Sequence, residues 1–462
     1  MTPSSIGPAP RRGSGIIVAS LALGSLAFSI LQSLVAPALA TIGADLHADN
    51  TAVSWVLTAY LLAAAVFTPI LGRLAEIAGK RRIMIAVLVI LLAGTVLAAL
   101  APSLGVLIAA RAIQGAAGAI LPLSIALARD VVPPERIGAT IGLLSAVFGV
   151  GGGIGILVAG PIVESLGWPS LFWLPAILIA VALAGAIIAL PRDDAPAGGR
   201  LDPAGTVLLS VGLVALLLAT TDGSTWGWGS PLTIGLLVVG AAAFVVFVFV
   251  ELCVAQPLVD MRVIANRGVW TAHVAALLLG FGMFGLFVLI PALLQAPAET
   301  GFGFGATATQ AGLALVPSVI AMVLASIGAG ALARRLGTRT TMLSGLALVA
   351  VAFVMAALWH ASIVALVVSV AIAGAGIGIG LSAISNAVVE AVLPAQTAEA
   401  LSANTIARTI GGSIGTTIIA VVLSSSAGPG SGFTAAFWVC AVVSTVAIVT
   451  TSMAPGRETR TS

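Results

Sequence analysis

The sequence predicts an all-α polytopic membrane protein of about fourteen transmembrane helices, and three observations support this. Of the 462 residues, 60% are hydrophobic and 8% are charged, whereas a soluble domain typically has about 25% charged residues. The apolar stretches are long enough to cross roughly 30 Å of hydrocarbon. They run without the two-residue alternation of a β-barrel, so we expect helices, which satisfy their backbone hydrogen bonds within one segment.

The apolar stretches set the approximate ends of the helices. We place them near residues 16–39, 52–72, 83–101, 104–128, 138–162, 170–190, 204–221, 231–250, 269–294, 309–333, 340–358, 362–388, 401–424 and 432–453.

The basic residues test this helix count independently, because cytoplasmic loops collect Lys and Arg. Of the 19 Lys and Arg residues, Arg111 falls inside the fourth helix and Arg408 opens the thirteenth. All the others lie in a terminal tail or in a loop that follows an even-numbered helix. We therefore expect an even number of spans in the plasma (inner) membrane, with both termini in the cytoplasm. The net charge of +3 reflects this topology and does not indicate nucleic-acid binding.

Two charged islands, residues 72–82 and 330–339, place Gly, Leu, Gly and Arg at matching positions. A repeat of this kind predicts two parallel six-helix bundles with two further helices inserted between them. The predicted divisions are a cytoplasmic tail at 1–15, an N-terminal six-helix bundle at 16–190, a linker with two extra transmembrane helices at 191–268, a C-terminal six-helix bundle at 269–453 and a cytoplasmic tail at 454–462.

Two motifs make the chain similar to the major facilitator superfamily. Residues 72–84 resemble its loop signature, with Glu76 for the usual Asp, and residues 107–118, with Arg111 and Gln114, resemble its fourth-helix signature. The fourteen spans resemble its drug:proton antiporter branch, as do residues 226–231, 256–260 and 407–412. The resemblance implies a major facilitator fold and multidrug efflux, the export of small hydrophobic or amphipathic compounds, by alternating access and proton antiport. Dedicated export of one metabolite, uniport without proton coupling, and a non-transporting sensor or scaffold remain as alternatives.

The first island is predicted to be a conformational latch, as the resemblance implies for this loop. Its glycines allow a tight turn, and Glu76 can approach the positive N-terminus of a helix in the other bundle. Anchoring at the cytoplasmic face would explain the basic residues, but not the glycines or Glu76. The predicted latch residues are Gly72, Arg73, Glu76, Gly79, Lys80 and Arg81.

Arg111 is a charge inside a predicted span, which costs at least ~2.5 kcal/mol unless it faces a partner or a watery cavity. One interpretation is that Arg111 touches substrate or tunes the proton affinity of a nearby acid. The other is that it holds helices together by pairing with polar groups.

Proton coupling is the open question of the sequence, because Gln32 stands where many antiporters of this branch carry an Asp. Glutamine cannot exchange a proton at physiological pH. Another group therefore couples protons, or the substrate carries them, or the protein is a uniporter. His273 titrates in the useful range, although a single His among apolar neighbours is more often structural. The predicted substrate and proton pathway comprises Gln32, Trp55, Tyr60, Arg111, Gln114, His273, Phe284, Asn386 and Asn404.

A glycine run in the fifth helix resembles the signature linked with antiport in this superfamily. Small residues let helices approach closely, and a glycine followed by proline can bend a helix. Two interpretations of the glycine run remain open, a hinge in the fifth helix and tight packing against its neighbours. The residues concerned are Gly151, Gly152, Gly153, Gly155, Gly160 and Pro161.

The sequence lacks the motifs that several other classes of function require. There is no phosphate-binding P-loop, and His47, His273 and His360 are isolated, which excludes the common metal spacings. No nucleophile with its base is visible, so we expect no enzyme, catalytic residue, cofactor or metal site. The expected partners are small-molecule substrates, protons and the lipid bilayer, with no nucleic acid, and we expect a monomer.

Overall fold

The computed structural model describes residues 14–192, 199–300, 302–425 and 429–453. In this part of the chain, fourteen helices are long and apolar enough to cross a membrane, and no strand occurs. The prediction of an all-α polytopic fold with about fourteen spans is therefore confirmed. Residues 1–13 and 454–462, which include most of the two predicted tails, and residues 193–198 of the predicted linker lie outside the described residues.

The membrane spans are numbered here in chain order. Spans 1 to 7 are Ser14–Ser33, Asn50–Ala78, Lys80–Ala99, Leu104–Gly115 continued by Ile120–Val131, Pro134–Leu166, Trp173–Ala189 and Pro203–Trp226. Spans 8 to 14 are Pro231–Cys253, Arg267–Gln295, Ala308–Ala314 continued by Val316–Leu336, Thr338–Trp359, Ile363–Ala391, Thr397–Ser425 and Pro429–Ser452. Two short helices, Leu39–Asp45 and Met261–Ile264, lie between spans.

The two halves of the chain pack by the same pattern. In the first half, span 1 packs on spans 5 and 6, span 4 on spans 2 and 3, and span 3 on span 6. In the second half, span 9 packs on spans 13 and 14, span 12 on spans 10 and 11, and span 11 on span 14. Each contact in the second half joins the two spans whose numbers are eight higher than those of a contact in the first half, as expected for two parallel repeats.

The two bundles meet chiefly where span 2 contacts span 13 and where span 5 contacts span 10. Glycines allow the close approach. A Cβ atom on Gly72 of span 2 would lie 3.1 Å from the carbonyl oxygen of Ala398, and one on Gly330 of span 10 would lie 2.7 Å from that of Gly138. The first glycine of each charged island is thus a crossing point between bundles.

The inserted spans 7 and 8 pack on each other, and span 7 also contacts spans 2 and 13. Leu213 and Leu217 of span 7 are buried with Ala65 of span 2 and Ile406 of span 13. The Thr417 hydroxyl donates to the Thr220 carbonyl at 2.7 Å, which ties span 13 to span 7. Span 7 therefore packs against both spans 2 and 13, and span 8 packs on span 7.

The first charged island is more helical than predicted. Span 2 continues to Ala78, and only Gly79 separates it from span 3, which begins at Lys80. Gly79 has φ 106°, a conformation that side chains disfavour and glycine tolerates. The expectation that Gly72 also serves a tight turn is therefore wrong, since Gly72 lies within span 2 and provides room for span 13. The face carrying Lys80, Arg129 and Arg334 is called the basic face below, and the sequence assigns it to the cytoplasm.

The close approach at Gly330 predicts a difference between two neighbouring substitutions. Gly330→Ala should lower the thermal midpoint of the detergent-solubilised protein, because overpacking costs about 1–3 kcal/mol. Gly328→Ala in the same helix meets nothing within 4 Å, so its gain in helix propensity should leave the midpoint unchanged or raised. Equal midpoints for the two variants would contradict the tight crossing of spans 5 and 10.

Candidate functional site

A small cavity lies between the bundles and is enclosed by spans 1, 2, 4, 5 and 13. Its volume is about 30 Å³. Most of its wall is apolar, and the polar part consists of three threonines, one glutamine and one arginine. No carboxylate is among the residues lining it in the described chain. These residues are Phe28, Gln32, Ala64, Ala65, Thr68, Gly118, Leu121, Phe148, Thr405, Ile406, Arg408 and Thr409.

Arg408 is the only charged residue in this lining. It lies 11 residues after the start of span 13 at Thr397, which corresponds to about 16 Å along the helix. Its side chain is buried, with 7% of the residue exposed, and its guanidinium carbon is 5.3 Å from the centroid of the Phe148 ring. The expectation that Arg408 merely opens the thirteenth helix is therefore wrong, because that helix begins earlier than predicted and buries Arg408 inside the bundle.

Gln32 lines the same cavity and is half-buried. The position that carries an acid in many relatives thus holds a neutral amide here, on the span that faces Arg408 across the cavity. The cavity consequently has one positive charge and no negative charge among its described lining residues.

Arg111 does not line this cavity, and it is fully buried inside the N-terminal bundle. Its Nε donates to the Val56 carbonyl at 3.1 Å, and its Nη1 donates to the Leu31 carbonyl at 3.1 Å and to Gln114 Oε1 at 2.7 Å. Gln114 in turn donates to the Thr95 hydroxyl at 3.1 Å. One arginine therefore joins spans 1, 2, 3 and 4, which matches the interpretation that it holds helices together.

Tyr60 belongs to the same cluster. Its ring lies 4.1 Å from the guanidinium carbon of Arg111 and 5.7 Å from the ring of Phe28. Its hydroxyl donates to the Phe28 carbonyl at 3.4 Å. Trp55, one turn earlier in span 2, is 36% exposed and does not line the cavity. Phe28 is the link between this cluster and the cavity, since it takes part in both.

The predicted pathway residues of the C-terminal bundle lie away from the central cavity. Asn404 Nδ2 donates to the Ala272 carbonyl at 3.2 Å, and Asn386 Nδ2 donates to the Ser382 carbonyl at 2.8 Å. A Cβ atom on Gly412 would lie 2.5 Å from the Phe284 ring, so this ring fills the space beside span 13. His273 is half-buried in span 9, with both ring nitrogens shielded from solvent. None of these four residues is in the lining of the central cavity.

Three of the predicted latch residues, Gly72, Arg73 and Glu76, lie where spans 2 and 13 meet at the basic face. Glu76 Oε1 accepts a hydrogen bond from the backbone N–H of Glu399, in the first turn of span 13, at 3.1 Å. Arg73 Nη1 lies 3.3 Å from Glu76 Oε2 and 3.5 Å from Glu399 Oε2. Glu399 Oε1 also accepts from the backbone N–H of Asp260 at 2.7 Å. A carboxylate of one bundle thus contacts the positive end of a helix in the other.

Two further cations bridge the bundles on this face. Lys80 Nζ lies 2.7 Å from Asp130 Oδ2 and donates to the Pro394 carbonyl at 3.3 Å. Arg129 donates to the Thr397 hydroxyl at 2.6 Å and to the Val392 carbonyl at 3.1 Å. Arg81 instead donates to the Ile187 carbonyl at 2.9 Å, within the N-terminal bundle. The loop before span 13 is therefore held to the N-terminal bundle by Lys80 and Arg129.

The glycine run of span 5 faces two neighbours. Cβ atoms on Gly151 and Gly155 would crowd the backbone of span 1, and one on Gly153 would collide with Val319 of span 10. A Cβ atom on Gly152 would make an ordinary 3.7 Å contact, and one on Gly160 would meet nothing within 4 Å. Pro161 is exposed within the same helix. Close packing thus requires three of these glycines, and Gly160 and Pro161 are left for the hinge interpretation.

Sequence reasoning missed Arg408 as a cavity residue and Glu399 as the partner of Glu76 and Arg73. A charge inside a predicted span was the available signal for Arg408. An acid in the first turn of a helix that follows a proline-containing loop was the signal for Glu399.

Comparison with known proteins agrees with this architecture. The family model of the Major Facilitator Superfamily matches residues 21–296 and 272–461. In the crystal structure of the human organic anion transporter MFSD10, the fold is similar, with a TM-score of 0.67 at 17% identity over 96% of this chain and 100% of that one.

Several bacterial proteins are about one third identical to the chain. An uncharacterized MFS-type transporter of Mycobacterium tuberculosis (strain H37Rv) is 34% identical over 74% of this chain and 49% of its own length. Multidrug resistance protein 3 of Bacillus subtilis (strain 168) is 32% identical over 72% of this chain and 64% of its own. The puromycin resistance protein pur8 of Streptomyces alboniger is 35% identical over 64% of this chain and 60% of its own. The chain thus matches about half to just under two thirds of the length of these relatives.

The fourteen spans, the duplicated packing pattern and the family match over nearly all of the chain lead to one conclusion. The chain belongs to the Major Facilitator Superfamily.

Proposed function

We propose that this transporter exports small hydrophobic or amphipathic compounds by alternating access, driven by proton antiport. The single observation that carries the proposal is the apolar cavity between the bundles, with few polar anchors in its wall, because such a wall accepts varied ligands. Relatives in Bacillus subtilis and Streptomyces alboniger that bear the names multidrug resistance protein and puromycin resistance protein support it. The positive-inside pattern supports a plasma-membrane location with both termini in the cytoplasm.

The size of the cavity supports a moving mechanism. A volume of about 30 Å³ is roughly that of one water molecule, whereas pockets for drug-sized ligands measure about 300–1,000 Å³. Cargo of that size requires the bundles to move apart. Because the bundles are joined at the basic face, we propose that the bonds of Glu76, Arg73, Lys80 and Arg129 break when that face opens.

The contact of Glu76 with span 13 has the properties of a latch. It joins the two bundles, and both carboxylates are largely buried, with 7% and 8% of their side chains exposed. A hydrogen bond to a charged group contributes about 1.5–3 kcal/mol, which is enough to change a two-state population about tenfold or more. We therefore assign to Glu76 and Arg73 control of which face opens.

Proton coupling has its candidates at this contact rather than in the cavity. Glu76 and Glu399 share Arg73 across the boundary that must open, so a proton taken up by either one would weaken the ion pairs that keep the boundary closed. His273 is a second candidate. Uniport remains the rival, because Gln32 carries no proton and the described cavity lining contains no carboxylate.

The latch predicts an accessibility change. In a background with Cys253 and Cys440 replaced by serine, a reporter Thr405→Cys in the cavity should react faster with a reagent applied at the basic face once Glu76→Ala is added. The expected increase is about tenfold, from the loss of one charge-assisted hydrogen bond. Glu135→Ala is the control, since Glu135 is an exposed acid on the same face. Equal rates for the two variants would remove the latch role from Glu76.

The energy source predicts a dependence on the proton gradient. In proteoliposomes of the purified chain, flux of a test drug should rise severalfold when a pH gradient is imposed and fall back when a protonophore dissipates it. Glu399→Gln should weaken this response, because one of the two carboxylates at the contact can no longer exchange a proton. Flux that ignores the gradient would refute proton coupling, and the absence of flux for any compound would refute drug transport itself.

A further inference from the structure

The geometry points to Arg408 as the binding site for the negatively charged group of amphipathic organic anions. The cargo would then include compounds that have an apolar body and one carboxylate or sulfonate group. This assignment rests on the proposed export function and specifies its substrate.

The first observation is that Arg408 carries a buried charge without a protein partner. Buried charges are normally paired or face water. Its side chain has no hydrogen bond or ion pair to any residue that the structure describes. Its guanidinium instead makes a cation–π contact with the Phe148 ring. Because Arg408 lines the cavity, the charge is available to a ligand there.

Arg111 provides the internal comparison. It is the same residue type, it is also inside the membrane and buried, and it makes three hydrogen bonds to Val56, Leu31 and Gln114. The bundle therefore can hold a buried guanidinium by hydrogen bonds to its Nε and Nη1 where the role is structural, while Nη2 of Arg111 has no partner among the described residues. Arg408 lacks such partners, which indicates that its partner arrives with the cargo.

The second observation concerns how the Arg408 side chain is held. Gly280 of span 9 packs directly against span 13, and a Cβ atom there would lie 3.0 Å from Arg408 Cγ and collide with the Arg408 carbonyl. The side-chain stem therefore lies against span 9. The guanidinium is held near the Phe148 ring of the opposite bundle, where a cation–π contact stabilises it while the site is empty.

The third observation is the hydrogen-bonding capacity of the cavity wall. Thr68, Thr405 and Thr409 donate their hydroxyl protons to carbonyls of their own helices, Ala64, Leu401 and Thr405 respectively. The donors left to a ligand are the guanidinium of Arg408 and the amide of Gln32. A planar guanidinium matches a carboxylate or sulfonate with two parallel hydrogen bonds.

Gln32 acquires a role in this arrangement. A carboxylate at this position would compete with the cargo for Arg408 or repel it, whereas the amide can donate to an anion. The remaining wall, which includes Phe28, Leu121 and Ile406, is apolar and suits the body of an amphipathic compound.

The experiment compares three probes that share one apolar body: naphthalenesulfonate, naphthamide and naphthylmethylammonium. Flux into proteoliposomes and thermal stabilisation of the purified chain are measured for each probe. The wild type should favour the anion over the cation by about tenfold, and Arg408→Gln should lower the ratio of anion to neutral probe by a similar factor. Arg408→Lys should retain part of the preference for the anion, because lysine keeps the positive charge but cannot make the two parallel hydrogen bonds of a guanidinium.

Two further variants make the outcome specific. Gln32→Glu should also reduce the preference for the anion, by placing a competing carboxylate beside Arg408. Arg262→Gln removes an exposed cation of the basic face and should leave the preference unchanged.

The possible failures are distinguishable. If no probe moves in the wild type, the export function is refuted. If the neutral probe or the cation moves but the anion is not preferred, or if Arg408→Gln and Gln32→Glu leave the preference intact, export stands and the assignment of Arg408 is overturned. Chloride-dependent stability that is lost in Arg408→Gln, with no preference for the organic anion, would assign the site to an inorganic anion and overturn the proposal as well.

Discussion

The structure depends on one constraint, that a charge within a bilayer-spanning bundle is costly unless it has a polar partner or faces a cavity. Arg111 meets it by bonding to the Leu31 carbonyl near the end of span 1, to a carbonyl of span 2 and to Gln114, which bonds to Thr95 of span 3. These bonds join four helices of one bundle. Glu76 meets it with a backbone N–H of the other bundle. Where a charge is paired within a bundle it stabilises the bundle, and where it is paired between bundles it stabilises one arrangement of the two.

The two contacts between the bundles are related by the internal repeat, yet their chemistry differs. The contact of spans 2 and 13 carries Arg73, Glu76 and Glu399 in addition to its close glycine crossing. Spans 5 and 10 have no ion pair between their described residues, and at the corresponding crossing Gly330 packs directly on the backbone of Gly138. Small residues permit helices to slide or rock against each other, whereas ion pairs hold discrete positions. We infer that the bundles rotate about the glycine contact of spans 5 and 10, while the ion pairs between spans 2 and 13 stabilise one arrangement of the bundles. This difference is a physical basis for two conformational states.

Much of the fold could be predicted from the sequence, because hydropathy and the distribution of Lys and Arg respond to the membrane itself. The spans, their number and the repeat followed from this. The contact of Glu76 with a helix of the other bundle was also expected from its charge. The residues of the candidate site were harder to predict from the sequence. Of the nine predicted pathway residues only Gln32 lines the cavity, because uniformly apolar helices give no periodicity from which to read the face that each residue occupies. The sequence places Arg408 in the opening part of the thirteenth helix, and because span 13 begins at Thr397, four residues earlier than predicted, Arg408 lies deeper in the bundle.

The charge of the cavity also bears on the energy of transport. Moving one elementary charge through a membrane potential of about 100 mV involves roughly 2.3 kcal/mol. With the cytoplasm negative, export of a monoanion is favoured by this amount, and inward movement of one proton is favoured by the same amount. Exchange of one proton for one monoanion therefore moves two charges in the favourable direction, about 4.6 kcal/mol in total, whereas exchange for a monocation moves none. We infer that a cavity with Arg408 and Gln32, and no carboxylate among its described lining residues, favours the cargo for which the membrane potential assists antiport most. In this proposal the proton need not bind in the cavity, because Glu76 and Glu399 lie on the contact between the bundles that has to open.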